Sequence, residues 1–160
     1  MSQWLFLIRH AHAERTLPDS NRALSAKGVV SSKKLARSLL AINLPADTVF
    51  ICSDLRRAIE TAQILHSKLD WTLPIQQWQG LAPMDDPINT ANQLRAATGN
   101  QLLVGHNPHL AHLASVLLTG NCNGSFVHFR KAAAMALKRN QNEPYWTLEW
   151  FLPPAIDRDS

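Results

Sequence analysis

Three short apolar runs, each followed at once by polar residues able to carry chemistry, restrict this chain to a fold in which strands alternate with helices. The first, Trp4–Ile8, has the length and the aromatic and β-branched content of a buried strand, and it delivers Arg9 and His10 at its end. Thr48–Ser53 and Gln101–Val104 are the other two. After a polar loop over 11–24, Ser25 reads as the N-cap of a helix whose Val29, Val30, Leu35, Leu39 and Leu40 recur at helical spacing up to about Ile42, where Pro45 stops it. Ser53 or Asp54 is expected to cap a second helix carrying Leu55, Ala58, Ile59, Ala62 and Leu65. An extended segment over Pro74–Trp78, a loop over Gly80–Pro87 and a helix over Asn89–Ala97 come next. A helix over His109–Leu118 is closed by Gly120. Beyond it Ser125–Phe129, Ala133–Lys138 and Tyr145–Phe151 alternate as strands do, the last two joined by a turn-like RNQNEP. Strands alternating with helices, then a strand-rich end, predict an α/β three-layer sandwich with a mostly parallel sheet.

At 160 residues and 46% hydrophobic the chain is long enough for one core and short for two, so a single domain over 1–160 is expected. A net charge of +4 favours an anionic partner, but the basic residues are scattered rather than massed as in a nucleic-acid tract. The tryptophans Trp4, Trp71, Trp78, Trp146 and Trp150 are dispersed among apolar positions, as core residues are, and do not form a base-stacking platform. Five apolar residues near the start are too few for a membrane span, and no basic segment precedes them as in a signal peptide. A cytoplasmic location is expected. Cys52 and Cys122 fit no zinc-type or disulfide spacing and read as reduced thiols. Nothing marks an oligomeric face.

In a parallel sheet the C-terminal strand ends share one edge, so residues distant in sequence meet there. Those ends carry Arg9 and His10, then Ser53 with the adjacent pair Arg56 and Arg57, then His106 and Asn107. Adjacent arginines do not easily face one pocket, so one of the pair belongs to a solvated face. Two arginines and two histidines at one edge make an anion clamp, and a cation beside an imidazole suits phosphoryl transfer. Histidines are also available for zinc, as His10 with His12 and as His106, His109 and His112. Yet enzymes built on an H-x-H pair of the amidohydrolase kind use barrels of about 250 residues, and no carboxylate accompanies the later histidines. A phosphate-binding module without catalysis is a third reading.

The strings LIRHAHAE, DSNRALSAKG, SDLRRAIETA, LAPMDDP and VGHNP, in that order between residue 5 and about 108, resemble the histidine phosphatase superfamily, of phosphoglycerate mutase-like fold. The short chain resembles most its SixA-type phosphohistidine phosphatases. The resemblance implies that His10 is the phosphoryl acceptor, that Arg9 and Arg57 (rather than Arg56) hold the phosphate, and that His106 binds it beside the nucleophile. Arg22 would line the mouth, and no cofactor or metal would be required.

Two departures bear on activity. Ala11 stands where the signature usually has glycine, a change expected to narrow the pocket or weaken the enzyme. No glutamate occurs from Thr61 to Asn142, where ester-cleaving members usually carry their acid, which leaves Asp86, and after it Asp85, as the fallback proton donor. Either aspartate is equally a turn cap before Pro87. Expelling an alkoxide calls for a positioned acid that contributes about 10²–10⁴-fold, whereas a phosphoimidazole leaves with a proton taken from solvent. The expected substrate is therefore phosphohistidine on a phosphorylated protein, with a small phosphorylated molecule as the alternative.

Overall fold

The computed structural model describes residues 1–155, so the last five residues of the expected single domain lie outside the described residues. Six strands form one sheet: β1 (Ser2–Arg9), β2 (Val49–Ser53), β3 (Gln76–Trp78), β4 (Gln101–Gly105), β5 (Ala134–Asn140) and β6 (Thr147–Leu152). Their order is β3-β2-β4-β1-β5-β6. The first four run parallel, with Leu5 opposite Gln101, Val49 opposite Gln101 and Ile51 opposite Gln76, while β5 is antiparallel to both β1 and β6. β1, β2 and β4 are apolar along most of their length because they are covered on both faces, as interior strands of a parallel sheet are.

Helices α1 (Ala26–Ile42) and α2 (Arg56–Lys68) pack together on one face, and α3 (Pro87–Ala96) and α4 (His109–Thr119) on the other. Each face has its own core. Phe6, Ile8, Phe50 and Val104 meet Leu35, Leu39 and Leu65 on the first, while Leu5, Leu7, Ile51 and Leu103 meet Leu94, Leu110 and Leu113 on the second. The split follows directly from the period of two along each strand. Ser25 caps α1 by accepting from Gly28 N, and Gly28 is required by a close approach, since a Cβ there would lie 2.0 Å from the carbonyl oxygen of His12. No helix among the described residues is long and apolar enough to cross a membrane.

Two local expectations are corrected. Ser125–Phe129 is not a strand: it pairs with no strand of the sheet and forms an irregular loop whose Phe129 carbonyl accepts instead from the Arg9 and Asn107 side chains. Neither Ser53 nor Asp54 caps α2. Leu55 stands at that position with no polar group to cap with, and the buried Ser53 hydroxyl lies two residues before it, where it accepts the Leu55 N–H and meets His106 Nε2.

Candidate active site

The edge formed by the C-terminal ends of β1, β2 and β4 gathers Arg9, His10, Ser53, His106 and Asn107, and the first turn of α2 adds Arg57. His10 is buried, and its Nδ1 lies 2.7 Å from the carbonyl oxygen of Ala11. A carbonyl only accepts, so Nδ1 carries the proton and Nε2 keeps its lone pair. Burial, followed by the fields of Arg57, Arg9 and Lys131, pushes His10 down to about 4 against the opposing hydrogen bond to Ala11. The imidazole is thus neutral at physiological pH, the state a nucleophile needs.

His106 stands beside it, with ring centroids 5.0 Å apart and planes tilted by 51°. Its Nε2 is 2.7 Å from Ser53 Oγ. That oxygen accepts the Leu55 N–H at 3.1 Å, and among the described residues His106 Nε2 is the one acceptor bonded to it that can take its own proton, which assigns the imidazole proton to Nδ1. Nδ1 is buried and has no partner among the described residues. Burial, then the positive neighbours, pushes His106 down to about 2 and keeps it a neutral donor.

The arginines are fixed from the backbone. Arg9 Nη1 donates to Phe129 O at 2.9 Å, and Asn107 Nδ2 donates to the same oxygen at 2.9 Å. Arg57, on the buried face of α2, donates through Nη1 to Asp19 O at 3.0 Å and pairs with Asp19 Oδ2 at 3.3 Å. Its neighbour Arg56 is exposed and pairs with Glu60 at 2.8 Å. Arg9 Nε and Arg57 Nε, like His106 Nδ1, are buried donors without a partner. Buried donors are rarely left unpaired; Arg95 Nε, Arg139 Nε and Trp146 Nε1 are unpartnered elsewhere, but only here among the described residues do such donors stand beside a neutral imidazole, an arrangement able to hold the oxygens of an anion.

Other expected residues are placed differently. Arg22 reaches the cluster only through Asp19, with which it pairs at 3.2 Å, while its Nε donates to Glu14 O. Asp86 is exposed and caps α3 by accepting from Ile88 N at 2.9 Å; Asp85 accepts from Ala82 N. His12 turns away to Ser25 Oγ at 2.7 Å, and among the described residues no three potential metal ligands converge. Ala11 has no positive φ, and its methyl group packs with Leu24 and Ala132 in a small buried cluster. Alanine here neither strains the backbone nor fills the pocket, contrary to the expectation of a narrowed site.

Three participants were not foreseen. Thr61 Oγ accepts the Ala11 N–H at 3.1 Å and donates to Arg57 O at 2.8 Å, tying the loop after His10 to α2. Its signal was present, since Arg57 and Thr61 are one helical turn apart. Asp19 supplies the countercharge of Arg57. Ala132, at φ 63, donates its N–H to Arg9 O at 3.0 Å, and its conformation is one a non-glycine residue rarely adopts.

Residues 5–86 match the model of the histidine phosphatase superfamily, branch 1. The sequence matches none of the curated proteins. Among solved structures, the fold is similar to the protein histidine phosphatase SixA complexed with tungstate, at 20% identity and TM-score 0.83, covering 94% of this chain and 96% of that one. A candidate phosphohistidine phosphatase SixA from Agrobacterium tumefaciens gives 20% identity and TM-score 0.78, over 94% and 97%. A mycobacterial glucosyl-3-phosphoglycerate phosphatase gives 16% identity and TM-score 0.71, over 98% and 100%.

Proposed function

Because the chain belongs to the histidine phosphatase superfamily, branch 1, we propose that it is a metal-independent phosphatase that works through phospho-His10 and acts on phosphohistidine carried by a protein. The observation that carries the reading is His10 itself, buried, held by Ala11 O through Nδ1, and surrounded by unpartnered donors of Arg9, Arg57 and His106. In the first step Nε2 attacks phosphorus in line as the P–N bond to the substrate imidazole breaks. Arg9, Arg57 and His106 Nδ1–H stabilise the equatorial oxygens, whose charge is greatest in the transition state. In the second step water attacks phospho-His10, releasing phosphate and restoring the neutral imidazole. Asn107 and Ser53 orient the clamp, and Arg22 borders its mouth through Asp19.

Substrate choice rests on leaving-group chemistry. The named charges acting on His10 are all cations, so the floor of the site favours a dianion but offers no carboxylic acid to a departing alkoxide. The proton for the leaving imidazole is assigned to Asp86, on the exposed loop after β3, with Asp85 behind it and solvent sufficient in their absence. The phosphatase folds similar to this one carry different substrate names, so fold alone does not set the substrate. The test is to trap an acid-labile, base-stable phosphoenzyme from a phosphohistidine peptide and to show that His10→Ala abolishes it together with turnover. Retention of full turnover in His10→Ala, or its loss on chelation, refutes the proposal.

A further inference from the structure

A second group of cations stands beside the clamp, and of these only Lys131 also acts on His10. The loop after β1 is folded against the start of α1: Glu14 N donates to Ala23 O at 2.8 Å, Ser25 N donates to His12 O at 3.0 Å, and Ala13 bridges Leu24. This brings Arg15 and Lys27 to one side of the pocket. The loop before β5 completes that side, since Ala132 N donates to Arg9 O and to His10 O at 3.3 Å, which sets Lys131 next to the mouth. Arg15, Lys27 and Lys131 are exposed, and none of them has an ion pair among the described residues. Lys131 is held below the usual lysine range by partial burial and then by Arg9, Arg22, Arg15 and Lys27. Of the nearby carboxylates, Asp19 is already engaged by Arg57 and Arg22, and Glu14, which acts on His12, forms no ion pair with any of the three among the described residues. The N-terminal end of α1 adds the positive pole of a 17-residue helix to the same side.

We propose that Arg15, Lys27 and Lys131 form a second anion subsite beside the phosphoryl pocket, which receives carboxylates flanking the phosphohistidine of a protein substrate. This rests on the reading of His10 as the phosphoryl acceptor. A second phosphate of a small molecule would call for buried, converging donors, whereas these three side chains are exposed and come from three separate segments. Large apolar residues on the adjoining loops, Leu17 at 93% and Phe126 at 72% exposed, supply what a protein face contacts and a small phosphoester does not. Dispersed cations of this kind act mainly on encounter and register with an acidic surface.

The test compares a phosphohistidine peptide flanked by glutamates with the same peptide carrying glutamines, a small phosphoramidate, and a small bisphosphate ester. The wild-type protein is expected to favour the glutamate peptide over the glutamine peptide in kcat/KM by about tenfold or more, the equivalent of one or two retained charge contacts. That preference should vanish in Lys27→Glu/Lys131→Glu and halve on a logarithmic scale in Lys27→Gln/Lys131→Gln. Arg37→Glu, a reversal on the exposed middle of α1, should keep it. It should also fade as ionic strength rises from about 0.01 to 1 M, which shortens the screening length from about 30 to 3 Å. Equal rates for the two peptides, a preference that survives the double reversal, or a larger gain from the second phosphate of the ester overturns the subsite while leaving phosphatase action in place. Failure to hydrolyse the phosphoramidate and both peptides overturns the catalytic reading, and the subsite with it.

Discussion

Acidifying the ligand-free protein tests the nucleophile most directly. An imidazole in the unfolded chain titrates near 6.5, and burial in the folded site lowers His10 to about 4. At pH 5.5 an ordinary histidine is about one-tenth neutral, whereas His10 should be about 97% neutral, by the same titration arithmetic. The sign for stability follows from proton uptake. Between the two values the unfolded chain binds the proton and the folded site does not, so stability is complete above 6.5 and falls as pH drops toward 4. A displacement of this size corresponds to about 3 kcal/mol. Nitrogen-detected NMR of histidine side chains, assigned by comparison with His10→Gln, should show a neutral Nδ1–H tautomer persisting to about pH 5, as the Ala11 carbonyl requires. Urea unfolding over the same range should show that His10→Gln loses about 3 kcal/mol less than the wild type on acidification. Titration of His10 near 6.5, or an Nε2–H tautomer, would refute both the burial argument and the assignment of Nε2 as nucleophile.

Replacing Thr61 by Val removes the acceptor of the Ala11 N–H and should cost about 1–3 kcal/mol in urea unfolding, with a fall in kcat larger than any change in KM. Ala11→Gly should not raise kcat, because Ala11 already has an ordinary φ; it should lower stability by about 1 kcal/mol through lost packing and greater unfolded-state freedom. Asp86→Ala should lower stability by about 1 kcal/mol through loss of the α3 cap. Turnover of the same variant on phosphohistidine should fall less than on an alkyl phosphate, and an equal fall on both would contradict the leaving-group argument.

The strands that carry the site were legible because they are local. Trp4–Ile8 and Gln101–Val104 are apolar runs that only a buried strand accommodates, and Arg9, His10 and His106 follow them in sequence, so their place at the sheet edge needed no tertiary information. The same reasoning misplaced Ser125–Phe129, whose alternation matches a strand but whose last carbonyl is taken by the Arg9 and Asn107 side chains, a contact that periodicity does not reveal.

Sequence alone thus determined the layered α/β plan and which residues reach one edge, since both follow from hydrophobic period and strand termini. Its residues left Arg56 and Arg57 unresolved, and only the resemblance chose between them. Tertiary structure decided what those residues can do: it turned Arg57 inward against Asp19 and Arg56 outward to Glu60, and joined Ala11 to Arg57 through Thr61. It also put His10 and His106 into contact across two strands and drew Arg15, Lys27 and Lys131 to one side. The reason is physical. Burial and the direction of a hydrogen bond depend on what the rest of the chain brings within a few ångströms, and those neighbours lie tens of residues away along it.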